Sequence, residues 1–353
     1  MKKEVSNKFK YFNFIFTLLI VLYHFRSLNE FNINYNNDLA INTGKLFSCL
    51  VNHINFVSMT GFFTISGFLF YYNINNTKDA LNKIKKRIKT LLIPYITWTL
   101  LIIILKTIIE GSLPFKSIKA IPGYLFFHPI DGPLWYILAL LLLMNLSPII
   151  IRIKKFNKKT ISFFFVLFIV IWLVIRFKSL QPIINLDAWW WHSNMVCYVP
   201  SYMFGAYLGM TCHEKILYEK YNKRIIMIIG IVLLVVTSIM YLKIDMNRNI
   251  EYILYILQFT SLWMIIDSRL FKNNVKDFFN YAFFLYALHQ PILIVAFDKF
   301  NTVIIKNQKI NIYEVIILKI VEVITMYCVS LAIAKTIKKR LPKKAYSALC
   351  GGR

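Results

Sequence analysis

Two histidines in this sequence stand inside long apolar runs. His24 lies near the end of LIVLYHF, and His289 lies in FLYALHQPI, directly before Gln290 and Pro291. An imidazole changes charge near neutral pH, so it is the side chain best suited to taking or giving a proton there. An ionisable or strongly polar group at membrane depth is costly unless it is paired or faces water, so each such residue calls for a functional reading first. Counted by helical rise, His24 stands about fourteen residues beyond Lys10 and His289 about thirteen beyond Lys276, both roughly 20 Å from the basic end of their run. Ser66 of FFTISGFLF comes to roughly 18 Å from Lys78 by the same count, and Trp135 and Tyr136 fall a little higher. One reading is a polar cavity between helices at this level. The other makes each histidine an interfacial residue bonded to a neighbour, and Trp135 and Tyr136 anchors in an aromatic belt. Residue types alone leave both open.

The elements that must position these groups follow from composition. Of 353 residues, 58% are hydrophobic, and the mean hydropathy is +0.57. No ordinary soluble domain of this length needs so much apolar surface, which therefore faces lipid. Apolar stretches long enough to span run from Phe12 to Leu28, Asn55 to Ile74, Thr90 to Ile109, Leu134 to Ile153 and Ile161 to Phe177. Further stretches run from Asn194 to Met210, Ile225 to Leu242, Ile250 to Ile266, Phe278 to Phe297 and Tyr313 to Ala334. The stretch from Asn194 is the weakest, because it carries Pro200, Gly205 and Gly209.

A net charge of +26 in a soluble protein would suggest nucleic acid. Here most Lys and Arg residues cluster in alternate connecting segments: the N-terminus, Lys78 to Lys89, Arg152 to Lys159, Lys215 to Arg224, Arg269 to Lys276 and Lys335 to Lys344. The intervening segments hold more of the acidic residues, among them Glu30, Asp38, Glu110, Asp131, Asp187, Asp245, Glu251 and Asp298. Positive charge is retained on the cytoplasmic side during insertion. The sequence thus predicts an all-α, polytopic bundle of about ten transmembrane helices with both termini cytoplasmic, and no nucleic-acid partner.

The five cysteines are scattered without a C-x-x-C pair, and no histidine cluster has metal-ligand spacing, so neither a disulfide framework nor a metal site is expected. The first run follows Lys2, Lys3, Lys8 and Lys10 but lacks a small-residue cleavage site, and reads as a retained helix. With no internal repeat and no long polar stretch, residues 1–344 read as a single integral membrane domain and 345–353 as a short unstructured tail.

These motifs together resemble the acyltransferase family 3 proteins, multi-pass enzymes that place acetyl or related acyl groups on sugars and surface polysaccharides. The resemblance covers nearly the whole chain. It rests on NFIFTLLIVLYHF, FFTISGFLF, the basic run before LLIPY, GPLWYILALLLL, FGAYLG and YALHQPI, in that order and spacing. It implies that His24 is the general base that takes a proton from the acceptor hydroxyl as it attacks an acyl thioester. Where the family carries an arginine eleven residues before this histidine, this chain has Asn13, which hydrogen-bonds but is no fixed cation. The family's two arginines at the cytoplasmic start of the third helix are matched by Arg87 and Thr90, with Lys86 and Lys89 beside them to bind the phosphates of the acyl donor. Topology alone also accounts for most of that basic cluster.

Asn13, Ser66, Trp135, Tyr136, His289 and Gln290 are the residues expected to bind the acceptor or line the cavity, with Pro291 freeing a backbone carbonyl beside them. The outward segment with Asp187, Trp189, Trp190, Trp191 and His192 is suited to stacking on sugar rings or to an aromatic belt. The resemblance implies an O-acyltransferase of the plasma membrane that uses acetyl-coenzyme A or another acyl-coenzyme A as co-substrate, with no tightly bound cofactor. Its partners would be the lipid bilayer, a sugar or polysaccharide acceptor, and an accessory protein or second copy where one is needed. The rival from another class is a transporter or flippase of a polar or lipid-linked sugar; such proteins commonly show repeated halves, which are absent here. A third reading, a degenerate member acting as scaffold or sensor, draws on Asn13 and Thr90. Replacing His24 separates these readings, because only the enzyme needs a base there.

Overall fold

Apolar segments can satisfy their backbone in lipid only by hydrogen bonding within themselves, and this chain does so as helices. The computed structural model describes residues 1–25, 32–111, 119, 121–126, 132–177, 190–244, 246–272, 277–305 and 309–351. The first elements are α1 (Lys3–His24), β1 (Ile33–Asn34), α2 (Asp38–Tyr71) and α3 (Thr77–Arg87), then a π-helical turn (Ile88–Leu92), α4 (Ile93–Glu110) and α5 (Ile121–Phe126). They are followed by α6 (Trp135–Asn145), α7 (Ser147–Ile150), α8 (Lys158–Phe177), α9 (Trp190–Thr211), α10 (His213–Tyr218), α11 (Lys223–Lys243) and α12 (Arg248–Ile265). The chain then continues through α13 (Ala282–Leu288), a second π-helical turn (His289–Leu293), α14 (Ile294–Ile305), β2 (Ile310–Asn311), α15 (Ile312–Arg340) and α16 (Lys343–Cys350).

The protein is an all-α polytopic membrane protein; among the described residues the strands amount to one short parallel pairing, Ile33 with Ile310 and Asn34 with Asn311. Among the described residues, seven helical stretches are long and apolar enough to cross a membrane by themselves. The other expected spans coincide with α9, with α12, and with α13 and α14 on either side of their π turn. Their lower apolarity or broken backbone keeps them below that threshold, a pattern tolerated where a segment is shielded by protein.

The chain forms two compact units, to which α1 and α2 each contribute both ways. The first unit comprises Met1–Phe12, Phe56–Lys89 and Tyr136–Val275. Its α2 and α9 lie in direct backbone contact, since a Cβ on Gly67 would meet the Tyr202 carbonyl and one on Gly205 the Thr64 carbonyl. Small residues of this kind allow helices to pack closely in lipid, where no hydrophobic force separates protein from tails. The last turn of α2 is capped by Lys83, whose Nζ donates to the carbonyls of Leu69 and Phe70, each at 2.7 Å, and Lys154 Nζ donates to the Ile74 carbonyl just past the helix at 2.6 Å.

A further cluster in this unit gathers charge from distant parts of the chain. Lys8, 1% exposed, donates to the Trp263 carbonyl at 2.8 Å and lies over the Trp263 ring at 4.0 Å. It also approaches Glu219 at 3.7 Å. Lys223 joins Glu219 at 2.8 Å to Asp267 at 3.0 Å, and Ser268 donates to Glu219. Burial would raise the Glu219 carboxyl, but hydrogen bonds from Lys223 and Ser268 and the charge of Lys8 bring it below the usual carboxylate range. Asp267 is likewise held low against burial by its bonds to Arg269 and Lys223. Glu219 also adopts a left-handed backbone, φ 47°, at the end of α10. That conformation is uncommon for a residue with a Cβ.

The second unit comprises Asn13–Asn55, Thr90–Trp135 and Lys276–Arg353. Its α15 begins with a capping box between Asn311 and Glu314. Of the tail expected to be unstructured, residues 345–350 instead belong to α16. Leu349 and Cys350 are buried, and Trp98 Nε1 donates to the Leu349 carbonyl at 2.9 Å. Gly351, at φ 66°, lies against the Thr90 carbonyl, where a side chain has no room. A short terminal stretch reads as tail from sequence; its docking depends on partners in α4 that no local pattern discloses.

Candidate active site

His24 is the last residue of α1, so it stands where the helix stops and the backbone leaves carbonyls without intrahelical partners. Its ring is half-buried, with the Tyr23 ring edge-on at 5.1 Å. His289 comes to it from α13: the two imidazole centroids lie 5.5 Å apart with their planes at 47°. His289 is fully buried, at 0% exposure.

The local sequence explains how His289 is held. Pro291 forces the preceding residue away from helical geometry, and Gln290 is extended at φ −130°, ψ 133°. The helix therefore breaks just after His289. Its Nδ1 lies 2.7 Å from the Tyr286 carbonyl, an acceptor only, so Nδ1–H is the donor. In the neutral ring Nε2 then carries the lone pair, and it has no hydrogen-bond partner among the described residues. Gln290 Oε1 is also buried without one. Tyr286, in turn, donates its hydroxyl to the Pro133 carbonyl. The arrangement is a fixed imidazole with a free acceptor beside a second imidazole at a helix end, which is the equipment for moving a proton.

The other expected residues divide between the units. Ser66 and Tyr136 meet in the first unit, their hydroxyls 2.8 Å apart, and the Tyr136 hydroxyl also reaches the Phe62 carbonyl at 3.2 Å. Trp135 is buried at 8% exposure and belongs, like the histidines, to the second unit. Asn13 is half-buried on the His24 helix. Eleven residues of helix return to nearly the same face but about 16 Å away, so Asn13 is not brought to His24.

Among the basic residues, Lys86 and Lys89 are exposed and Arg87, the last residue of α3, is half-buried. Lys83 of the same cluster is occupied in capping α2. Thr90 lies within the π turn that joins α3 to α4, a helical irregularity often found at functional sites. Asp187 and Trp189 lie outside the described residues, as do the side chains of Trp190, Trp191 and His192.

Sequence reasoning passed over Lys319 and Glu322, which lie one turn apart on α15 and are 3% and 5% exposed. Both stand in VIILKIVEVIT, and the cost of charge at membrane depth, the signal that found the histidines, applies to them equally. Among the described residues no group of three or more His, Cys, Asp or Glu side chains is placed to hold a metal.

Compared with known proteins, the chain matches a family model described as an acyltransferase domain over residues 9–337. No curated protein and no solved structure matches it.

Proposed function

Because the chain belongs to the acyltransferase domain family and is a membrane acyltransferase, we propose that it carries an acyl group, acetyl first among the candidates, from cytoplasmic acyl-coenzyme A to a sugar hydroxyl outside the plasma membrane. The acceptor is a sugar or surface polysaccharide. His24 takes the proton from the acceptor hydroxyl as its oxygen attacks the thioester carbonyl. The tetrahedral intermediate collapses with cleavage of the carbon–sulfur bond, and the departing thiolate recovers the proton from the imidazolium. The ester and free coenzyme A leave, and the enzyme returns to its starting state without a tightly bound cofactor. Arg87, Lys86 and Lys89 serve the donor phosphates.

The observation that carries this reading is the family match over residues 9–337; the histidine pair supplies a group able to do the chemistry. A second assignment exchanges the two imidazoles. It is favoured by the bond from His289 Nδ1 to the Tyr286 carbonyl, which leaves Nε2 as a positioned acceptor.

The test is the O-acetyl content of the host's surface polysaccharide by proton NMR. Cells with the intact gene are compared with a deletion, and with the deletion complemented by wild type, His24→Ala or His289→Ala. Loss in the deletion and the His24→Ala strain is the expected result. An unchanged deletion strain rules out polysaccharide O-acetylation, and full acetylation by His24→Ala with none by His289→Ala exchanges the roles.

A further inference from the structure

Lys319 and Glu322 are buried charges on a membrane helix that the acyl-transfer chemistry leaves unused. Keeping them there is costly unless the protein gains from it. The contacts around Lys319 show where that gain lies. Its Nζ donates to the Phe25 carbonyl at 3.3 Å and stands 5.5 Å from the centroid of the Phe25 ring, itself 1% exposed. Phe25 directly follows His24, and its amide still bonds to the Val21 carbonyl at 3.0 Å, so the last turn of α1 runs up to the lysine. The end of a helix presents unpaired carbonyls and the negative pole of its dipole, and an ammonium satisfies both. The helix that carries Lys319 also packs against the π turn that begins at His289. One helix thus touches the residue that follows His24 and the turn that begins at His289.

We propose that Lys319 is a positioning residue for the acyl-transfer site: by binding the carbonyl next to His24 it fixes the last turn of α1 and holds the His24 ring beside His289. Glu322, three residues along the same helical face, is the acidic group that balances the ammonium within the protein. Beside the histidine pair stand the Tyr23 ring, against His24, and the Tyr286 ring, against His289, while Glu322 lies one turn from Lys319 on α15. A helix turns about 100° per residue, so a small rotation of an unpinned final turn carries the imidazole out of reach of a substrate hydroxyl. The proposal rests on His24 being the base.

The test uses the full chain purified in detergent, with acetyl-coenzyme A and alkali-treated host polysaccharide as substrates. Lys319→Met removes the charge and the bond, Lys319→Gln keeps a donor without charge, and Lys319→Arg keeps both. The expected result for Lys319→Met is a kcat loss of about tenfold or more with both KM values within about threefold and an unchanged melting temperature. Lys319→Arg is expected to restore kcat, which a volume-filling role would not. A second readout needs no turnover: the His24 ring C–H resonance, assigned by its absence in His24→Ala, moves in Lys319→Met and returns in Lys319→Arg. Should Lys319→Met fail to fold, Lys319→Gln takes its place in both measurements. Wild-type kcat in the uncharged variant, an unmoved His24 resonance, or a folded Lys319→Arg that behaves like Lys319→Met overturns the proposal. Undiminished activity of His24→Ala defeats the base assignment instead, and the resonance then still decides whether Lys319 positions that ring.

Discussion

At the residue scale, the histidine pair sets how a loss of activity divides between binding and chemistry. Removing the base leaves the contacts that bind donor and acceptor, so His24→Ala is expected to lower kcat by about a hundredfold or more with little change in KM. His289→Ala takes away the free Nε2 acceptor and is expected to raise KM for the acceptor more than it lowers kcat; steady-state kinetics on both variants separates the two. The charge cluster around Glu219 answers to pH. Its folded carboxyl lies below the unfolded value, as does that of Asp267, so both contribute stability above the unfolded carboxylate pKa of about 4 and lose it as pH falls further. Melting temperature in detergent is expected to drop as the medium is taken below about pH 4.5, and to drop less in Glu219→Gln. At neutral pH that variant leaves the buried Lys8 without its carboxylate and is expected to be about 3 kcal/mol less stable. His24 and His289 were legible in the sequence because an imidazole in an apolar run stands out. Lys319 and Glu322 carry the same signal, charge in an apolar run, although a hydropathy window of about nineteen residues averages such isolated charges away. The cluster of Lys8 and Glu219 was beyond reading, since its members meet only through the fold.

At the element scale, α9 shows how one feature of sequence carries two meanings. Pro200, Gly205 and Gly209 weaken it as an isolated span, and the helix nevertheless runs unbroken from Trp190 to Thr211. The glycines are instead the reason it belongs where it is: Gly205 lies against the Thr64 carbonyl of α2 and Gly209 against that of Phe68. Sequence shows that small residues are present, but which helix they admit is settled by packing. Gly205→Leu therefore forces α2 and α9 apart. Expression and melting temperature in detergent are expected to fall steeply, whereas Leu208→Ala, on the same helix, is expected to be milder because it removes atoms without driving backbones apart. The break between α13 and α14 was more legible. Proline after HQ announces it, and the extended backbone at Gln290 realises it, which is how His289 comes to end a helix rather than continue one.

At the scale of the whole molecule, the arrangement of charge and the count of helices make opposing statements about sidedness. Among the described residues seven helices are long and apolar enough to cross; setting aside the first two, which precede Lys85, leaves five between Lys85 and Lys339. An odd number places those residues on opposite faces. The alternation of basic segments instead requires α9, α12 and the broken α13–α14 pair to cross as well, which makes the number even and returns Lys339 to the face of Lys85. Acyl transfer from a cytoplasmic donor depends on the outcome, because Lys86, Arg87 and Lys89 must face the compartment that holds coenzyme A. None of the five cysteines is in a disulfide, so a cysteine-less background gives single sites on exposed residues. A membrane-impermeant maleimide applied to intact cells is expected to label Asn36→Cys and Lys309→Cys, and to reach Lys85→Cys and Lys339→Cys only after permeabilisation. Labelling of Lys339→Cys but not Lys85→Cys from outside would mean an odd number of crossings between them, and labelling of both would put the basic cluster on the wrong face for its donor.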